Sequence, residues 1–269
     1  MLHQAIRVGV FDSGLGGLTV VKAISQTLQN AQIYYVADTL NAPYGEKTPK
    51  EILQYSLDIT NYLIKTYQIN ALILACNTAT AFAIETLRAK YPNLIIIGTE
   101  PAIKPAIAHT QSGKIGILAT SATLKGEKYQ NLVASLCENR DIDIYQQACP
   151  KLVEQIERGE IDSIYTRELL EGWIVPMRDN GVDTIVLGCT HYPLIAHIIL
   201  DIMDNNITLI HTGRAITKHL LSLVTANGHI NNGNLEIYID TTAYIEREII
   251  NNILFSYKSI KLISIYTDN

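Results

Sequence analysis

Charge is scarce in this chain and nowhere forms a run. Asp, Glu, Lys and Arg make up 17% of 269 residues, and the formal net charge is −5. Phosphate backbones call for a basic face, so nucleic acid is not expected as a partner. Long apolar runs are missing too. Ala71–Cys76 and Leu94–Ile97 fall far short of the roughly 20 residues that cross a bilayer, so no membrane association is expected. The first residues lack the basic region, apolar stretch and cleavage site of a secretory leader, and a soluble cytoplasmic protein is the expectation. The four cysteines, Cys76, Cys137, Cys149 and Cys189, form no C-x-x-C. A zinc knuckle and a thioredoxin-type pair are therefore unsupported, and disulfides are not expected in a reducing compartment. No G-x-x-x-x-G-K-[ST] loop occurs, so the phosphate cradle of P-loop enzymes is absent.

What is present is apolar and periodic. Hydrophobic residues make up 48% of the chain, enough for a substantial core. Ile6–Phe11, Ile33–Ala37, Ala71–Ala75 and Leu94–Ile97 read as strands. Between them lie helical stretches, with Leu18, Val21, Ile24 and Leu28 on one face and a second helix from Pro49 to about Lys65. Thr48-Pro49-Lys50-Glu51 has the form of a capping box with proline at the first helical position. A third helix is predicted over Thr78–Lys90. The pattern then restarts with strand Lys114–Ala119, a helix to about Cys137, strand Ile142–Tyr145 and strand Thr184–Leu187. Strands apolar on both faces, alternating with helices, predict α/β architecture with parallel sheets covered by helices.

The restart looks like a duplication. Val8-Gly9-Val10-Phe11-Asp12-Ser13 matches Ile115-Gly116-Ile117-Leu118-Ala119-Thr120 in pattern, and Leu74-Ala75-Cys76-Asn77 matches Leu187-Gly188-Cys189-Thr190. Cys76 lies 64 positions after Asp12, and Cys189 lies 69 after Thr120. Two halves built alike would each carry one cysteine at a strand end.

In open α/β sheets ligands bind outside the carboxyl ends of the strands. Polar signatures gather at four such ends: Asp12-Ser13-Gly14, Ala37-Asp38, Cys76-Asn77-Thr78 and Cys189-Thr190-His191. A free cysteine is usually a small buried hydrophobe, and that reading suits Cys137 and Cys149. It suits Cys76 and Cys189 less well, because each ends a strand and precedes a helix start, where backbone N–H groups favour thiolate. His191 would add to this at Cys189. The glycine-rich turn Asp12-Ser13-Gly14-Leu15-Gly16-Gly17, with Asp38 further on, invites a dinucleotide reading. Thr19, however, stands at the third glycine position of that fingerprint, and Asp12 would face the pyrophosphate. An amino acid fits better, its ammonium at Asp12 and its carboxylate at Ser13, Thr78 and Thr190. Tyr44, in the loop Asn41-Ala42-Pro43-Tyr44-Gly45, reads as a lid or carboxylate contact. Two thiols on opposite sides of a ligand can remove an α-proton from one face and return one to the other. Cysteine, with a reference pKa of roughly 8.5, is readily tuned for this, so the chemistry indicated is a racemisation that needs no cofactor.

At this point the residues resemble a family. Phe11-Asp12-Ser13-Gly14-Leu15-Gly16-Gly17, Pro43-Tyr44-Gly45, Ala75-Cys76-Asn77-Thr78-Ala79, Gly98-Thr99-Glu100-Pro101-Ala102, Ala119-Thr120-Ser121-Ala122-Thr123 and Gly188-Cys189-Thr190-His191-Tyr192-Pro193 are similar, in order, to the signatures of the glutamate racemases of the aspartate/glutamate racemase superfamily. The resemblance implies interconversion of L- and D-glutamate for peptidoglycan synthesis, without cofactor or metal. It implies Cys76 and Cys189 as the acid/base pair, with Asp12, His191 and Glu157 as auxiliary groups. It implies Asp12, Ser13, Tyr44, Gly45, Asn77, Thr78, Thr190, His191, Thr120 and Thr123 as substrate contacts. Glu154 stands where the family often has proline, and His211-Thr212-Gly213 where many members have Asp-Ser-Gly. The absence of a long amino-terminal extension leads to the expectation that no cell-wall precursor is needed as activator. The implied fold has two similar parallel-sheet α/β domains, about 1–100 plus 211–269 and about 101–210, with the active site at their interface. A homodimer is compatible with the resemblance, without a specified interface. Three rivals stand beside this reading. A dehydrogenase would leave both cysteines idle, a solute-binding module is normally exported, and a racemase for aspartate differs only in cleft shape.

Overall fold

The computed structural model describes residues 5–138, 140–231, 233–244, 247–254 and 260–262. The chain divides into two compact units, Met1–Thr99 with Gly213–Asn269, and Glu100–Thr212.

The first unit opens with β1 (Ile6–Asp12), α1 (Leu18–Ser25), β2 (Ala31–Ala37), α2 (Pro49–Tyr67), β3 (Ala71–Leu74), α3 (Asn77–Lys90) and β4 (Ile95–Gly98). The predicted capping box forms at α2: the Glu51 N–H donates to Thr48 Oγ1 at 3.3 Å, and the Thr48 N–H to Glu51 Oε2 at 2.9 Å. Helix α3 starts one residue earlier than its periodicity suggests, because Cys76 itself serves as N-cap.

The second unit holds α4 (Ile103–His109), β5 (Lys114–Ala119), α5 (Ser121–Lys125), α6 (Glu127–Cys137), β6 (Asp143–Ala148), α7 (Leu152–Glu157), α8 (Ile164–Asp179), β7 (Thr184–Gly188), α9 (Ala196–Ile202) and β8 (Thr208–Ile210). Two elements differ from expectation. The helix predicted to run up to Cys137 is two helices, because Gly126 is extended and breaks it. Strand β6 runs on through Gln146 and Gln147 to Ala148. It is an edge strand, half-buried or exposed along its length, so its carboxyl half shows no apolar signal.

The chain then returns to the first unit with α10 (Gly213–Ala226), β9 (Leu235–Thr241), α11 (Arg247–Leu254) and β10 (Ile260–Leu262). The first sheet has order β10-β9-β2-β1-β3-β4 and the second β6-β5-β7-β8, and every described pairing is parallel. Strand for strand, β2-β1-β3-β4 has the order of β6-β5-β7-β8, which is the duplication expressed as topology. Register makes the equivalence specific. Phe11 pairs with Leu74 and Leu118 with Leu187, so Asp12 has Ala119 as its counterpart and Ser13 has Thr120. This is the correspondence that the two aligned strand patterns predict. Apolar cores back each sheet, around Phe11, Leu63, Leu72 and Ile84 in the first unit and Leu118, Ile174, Ile185 and Ile199 in the second. Among the described residues no helix is long and apolar enough to cross a membrane.

Candidate active site

In the first unit β1 and β3 are neighbours, and their carboxyl ends carry Asp12-Ser13 and Cys76. Cys76 is 5% exposed. As N-cap of α3 its Sγ accepts the Ala79 N–H at 3.4 Å and lies 3.7 Å from Ser13 Oγ. A sulfur at the positive end of a helix of about four turns, facing an N–H donor, is set up to carry negative charge. Asp12 is wholly buried, and its Oδ2 accepts the N–H groups of Gly14 at 3.3 Å and Gly17 at 3.0 Å. Gly17 is required there, since a Cβ would fall 2.5 Å from the Asp12 Cβ and 2.8 Å from the Tyr35 ring. Asn77 and Thr78 occupy the first turn of α3, both buried. Among the described residues, neither the oxygen nor the nitrogen of the Asn77 amide has a hydrogen-bond partner. A buried amide without partners costs roughly 1–3 kcal/mol, and a bound polar ligand would offset that cost.

Two sequence readings change here. Tyr44 is not a lid. Its ring is buried at 1% exposure, and its hydroxyl donates to Asp38 Oδ2 at 2.6 Å. Burial raises its pKa well above the ordinary tyrosine value, and the Asp38 carboxylate adds to this. The half-buried Gly45 follows it in a single 3-10 turn, Tyr44–Glu46. Asp38, the residue behind the dinucleotide reading, also takes Asn41 Nδ2 at 3.1 Å and Thr242 Oγ1 at 2.9 Å. With its donors supplied from within the fold, it is committed to pinning this loop rather than to a ribose. The cleft of about 440 Å³ lined by Arg7, Asn70, Asn93 and His229 holds none of these residues.

In the second unit Cys189 follows β7 directly and is 9% exposed. The helix start expected after it is a 3-10 turn, Tyr192–Ile195, with Pro193 in its first positions, and α9 follows. The environment of the thiol therefore comes from side chains. Cys189 Sγ lies 3.6 Å from His191 Nδ1, and His191 Nε2 lies 2.5 Å from Glu157 Oε1 at the end of α7. Burial opposes charge on His191, but hydrogen bonds to Cys189 and Glu157 outweigh it and raise its pKa well above the ordinary value. An imidazolium between a carboxylate and a thiol favours a negative sulfur. Thr190 is buried, with Oγ1 3.4 Å from His191 Nδ1. Thr120 caps α5: its Oγ1 accepts the Thr123 N–H at 3.2 Å and donates to Thr123 Oγ1 at 2.9 Å. Because Ala119 pairs with Gly188, Thr120 emerges beside Cys189. Burial pushes the Cys149 thiol up to about 12 and also raises that of Cys137, as expected of structural cysteines.

Thr99 belongs to one of the family-like motifs but has no role in the sequence reading. The structure ties its hydroxyl to the backbone before Cys76. No periodicity points to such a contact, because it joins residues 24 positions apart in the chain.

Comparison with known proteins gives the family. The profile of the Asp/Glu/Hydantoin racemase family matches residues 8–220. A glutamate racemase of Sulfurovum sp. is 59% identical, over 98% of this chain and 100% of its own length. The crystal structure of a Bacillus anthracis glutamate racemase superposes with a TM-score of 0.85 at 28% identity, covering 98% of this chain and 99% of that one. An Escherichia coli glutamate racemase solved with L-glutamate and the activator UDP-MurNAc-ala superposes with a TM-score of 0.81 at 27% identity, covering 98% and 100%. The duplicated parallel sheets, the two strand-end thiols and these matches together establish that the chain belongs to the Asp/Glu/Hydantoin racemase family and, within it, to the glutamate racemases.

Proposed function

We propose that this protein interconverts L- and D-glutamate, with Cys76 and Cys189 as the two acid/base groups on opposite faces of the substrate Cα. The observation that carries the reading is the pair of equivalent strand-end thiols, each with its own means of supporting charge: an N-cap N–H at Cys76, and the His191–Glu157 pair at Cys189. In one direction a thiolate takes the α-proton. The Cα–H bond breaks, an S–H bond forms, and the electron pair stays on Cα, delocalised into the adjoining carboxylate. The opposite thiol then gives its proton to the other face, and its S–H electrons remain as thiolate. The enantiomer runs the same steps with the roles exchanged, and no cofactor or metal takes part.

Asp12 assists at Cys76, and His191, held by Glu157, assists at Cys189. Ser13, Asn77, Thr78 and Thr190 bind the substrate's polar groups, together with Tyr44 and Gly45. The Tyr44 hydroxyl is committed to Asp38, so this pair contributes through backbone. Thr120 and Thr123 add hydroxyls near Cys189. Each thiol belongs to one domain, the first spanning about 1–100 plus 211–269 and the second about 101–210. D-glutamate made in the cytoplasm would serve peptidoglycan synthesis, and a homodimer is compatible with this reading.

Metal-free protein, dialysed and given either glutamate enantiomer in D₂O, should place deuterium at Cα, and absence of exchange overturns the reading. Cys76→Ser and Cys189→Ser should each lose racemisation. Aspartate assayed beside glutamate separates this reading from a racemase of broader range.

A further inference from the structure

We propose that Thr99, just past β4, is a positioning residue that fixes the Cys76 sulfur through the backbone on either side of it, with Thr80 as its partner; this rests on Cys76 being a proton-transfer thiol. The ladder between β3 and β4 ends where Leu74 pairs with Gly98. The chain must then pass through Ala75, which is wholly buried, to reach Cys76. Buried carbonyls past a ladder need donors. The Thr99 hydroxyl supplies one, shared between the Leu74 carbonyl and the Ala75 carbonyl, the latter at 2.7 Å. Thr80, in the first turn of α3, closes the ring. Its Oγ1 accepts the Thr99 N–H at 3.0 Å and reaches the Leu74 carbonyl at 3.3 Å. Thr99 and Thr80 are 1% exposed, so water does not substitute.

This clasp spans the thiol, with Leu74 and Ala75 before Cys76 and Thr80 after it. The angle between the end of β3 and the start of α3 sets the 3.4 Å contact from the Ala79 N–H to Sγ, and the clasp holds both arms of that angle. Gly98 is an independent sign of the same device. A Cβ there would lie 2.5 Å from Thr80 Cγ2, so glycine leaves the space that Thr80 fills. Among the described residues, the hydrogen bonds of Thr99 go to backbone or to Thr80, so it acts on the sulfur through position.

The test uses the full-length protein and reads Cys76 directly. Iodoacetamide alkylation is followed against pH by peptide mass spectrometry, with Cys189 as internal control. Thr99→Val keeps the shape and removes the hydroxyl. It should move the Cys76 alkylation midpoint up by about 0.5–1 pH unit, because an N–H donor to the thiolate is loosened. Cys189 should not move. For racemisation, kcat should fall roughly tenfold or more with KM nearly unchanged, as expected for a misplaced reacting group. Thr99→Ser should restore both readings. Thr80→Val, which leaves Thr99 in place, should shift Cys76 in the same direction and serves if Thr99→Val does not fold. An unmoved Cys76 midpoint in folded variants, an equal shift at Cys189, or failure of serine to rescue would overturn the proposal. If the wild-type protein does not racemise glutamate, the functional reading fails, and the alkylation profile still decides whether the clasp sets the thiol.

Discussion

At the scale of single residues, the two thiols have equivalent places and different surroundings. Cys76 has the Ala79 N–H and the Ser13 hydroxyl beside it, Cys189 has His191 backed by Glu157. The second is therefore open to a charge experiment. Glu157→Gln keeps a hydrogen-bonding group opposite His191 and removes its negative charge, so the imidazolium loses support and the His191 pKa falls. If activity needs that imidazolium, the alkaline limb of the kcat/KM profile should move to lower pH. Stability follows the same sign. With the folded pKa raised, the contribution of His191 is complete below roughly 6.5 and is lost as pH rises through the folded value. A profile of Glu157→Gln that overlays the wild type would remove Glu157 from the mechanism. On the other side, Gly17→Ala should lower kcat/KM roughly tenfold or more, since the added methyl must displace Asp12 or Tyr35. Steady-state kinetics beside a thermal melt separates that loss from unfolding.

At the scale of elements, local chemistry sets where helices and strands begin. The capping box at α2 is exposed and remote in function, so Thr48→Ala should cost about 1 kcal/mol in a denaturant melt and leave kcat unchanged. A hydrogen-bonded device that joins residues up to 73 positions apart holds the entry to β7. Asp183 accepts the Thr110 hydroxyl at 2.6 Å, the Gln111 and Ser112 N–H groups at 2.7 Å each, and the Thr184 hydroxyl at 2.9 Å. Burial works against its charge, but these donors prevail and hold the carboxyl at about 2. Depression below the unfolded value means that this stability is present above roughly pH 4 and lost as pH falls from there toward 2. Asp183→Asn retains one acceptor oxygen in place of two. It should lower the melting temperature at neutral pH by the equivalent of about 1–2 kcal/mol and flatten the acid side of the stability curve. An unchanged acid limb would show that other carboxylates govern it.

At the scale of the molecule, the first unit is assembled from two distant stretches of chain. Strand β2 pairs with β9 over its whole length, Ala31 with Leu235 through Ala37 with Thr241. The end of β9 is also tied to the loop after β2, where Thr242 Oγ1 donates to Asp38 and accepts the Leu40 N–H at 3.0 Å. Removing residues 213–269 would turn a buried, apolar β2 into an open edge. Such a truncation should be recovered as aggregate. A monomeric, cooperatively melting product by size-exclusion chromatography and calorimetry would contradict this role for β9.

Much of this is legible along the chain. Apolar periodicity marks β1, β2, β3, β5 and β7, and Thr48 with Glu51 announces α2, because strand burial and helix capping are local matters that neighbouring residues decide. The same strand-end logic singles out Cys76 and Cys189 from residue pattern. The edge strand β6 reads shorter than it is, since its glutamines carry no burial signal. Other features depend on which distant segments become neighbours. The ends of the strand ladders bring Ser13 beside Cys76 and Thr120 beside Cys189, Asp38 is engaged by Tyr44 and Thr242, and Glu157 is set against His191 across 34 positions of chain. The sequence by itself thus determined β1, β2, β3, β5, β7 and α2, the parallel α/β class and the two strand-end thiols, because these follow from local pattern. Tertiary structure decided which distant groups join them, Ser13 Oγ at 3.7 Å from the Cys76 sulfur and Glu157 Oε1 at 2.5 Å from His191, because contacts between segments far apart in the chain exist only once the fold has formed.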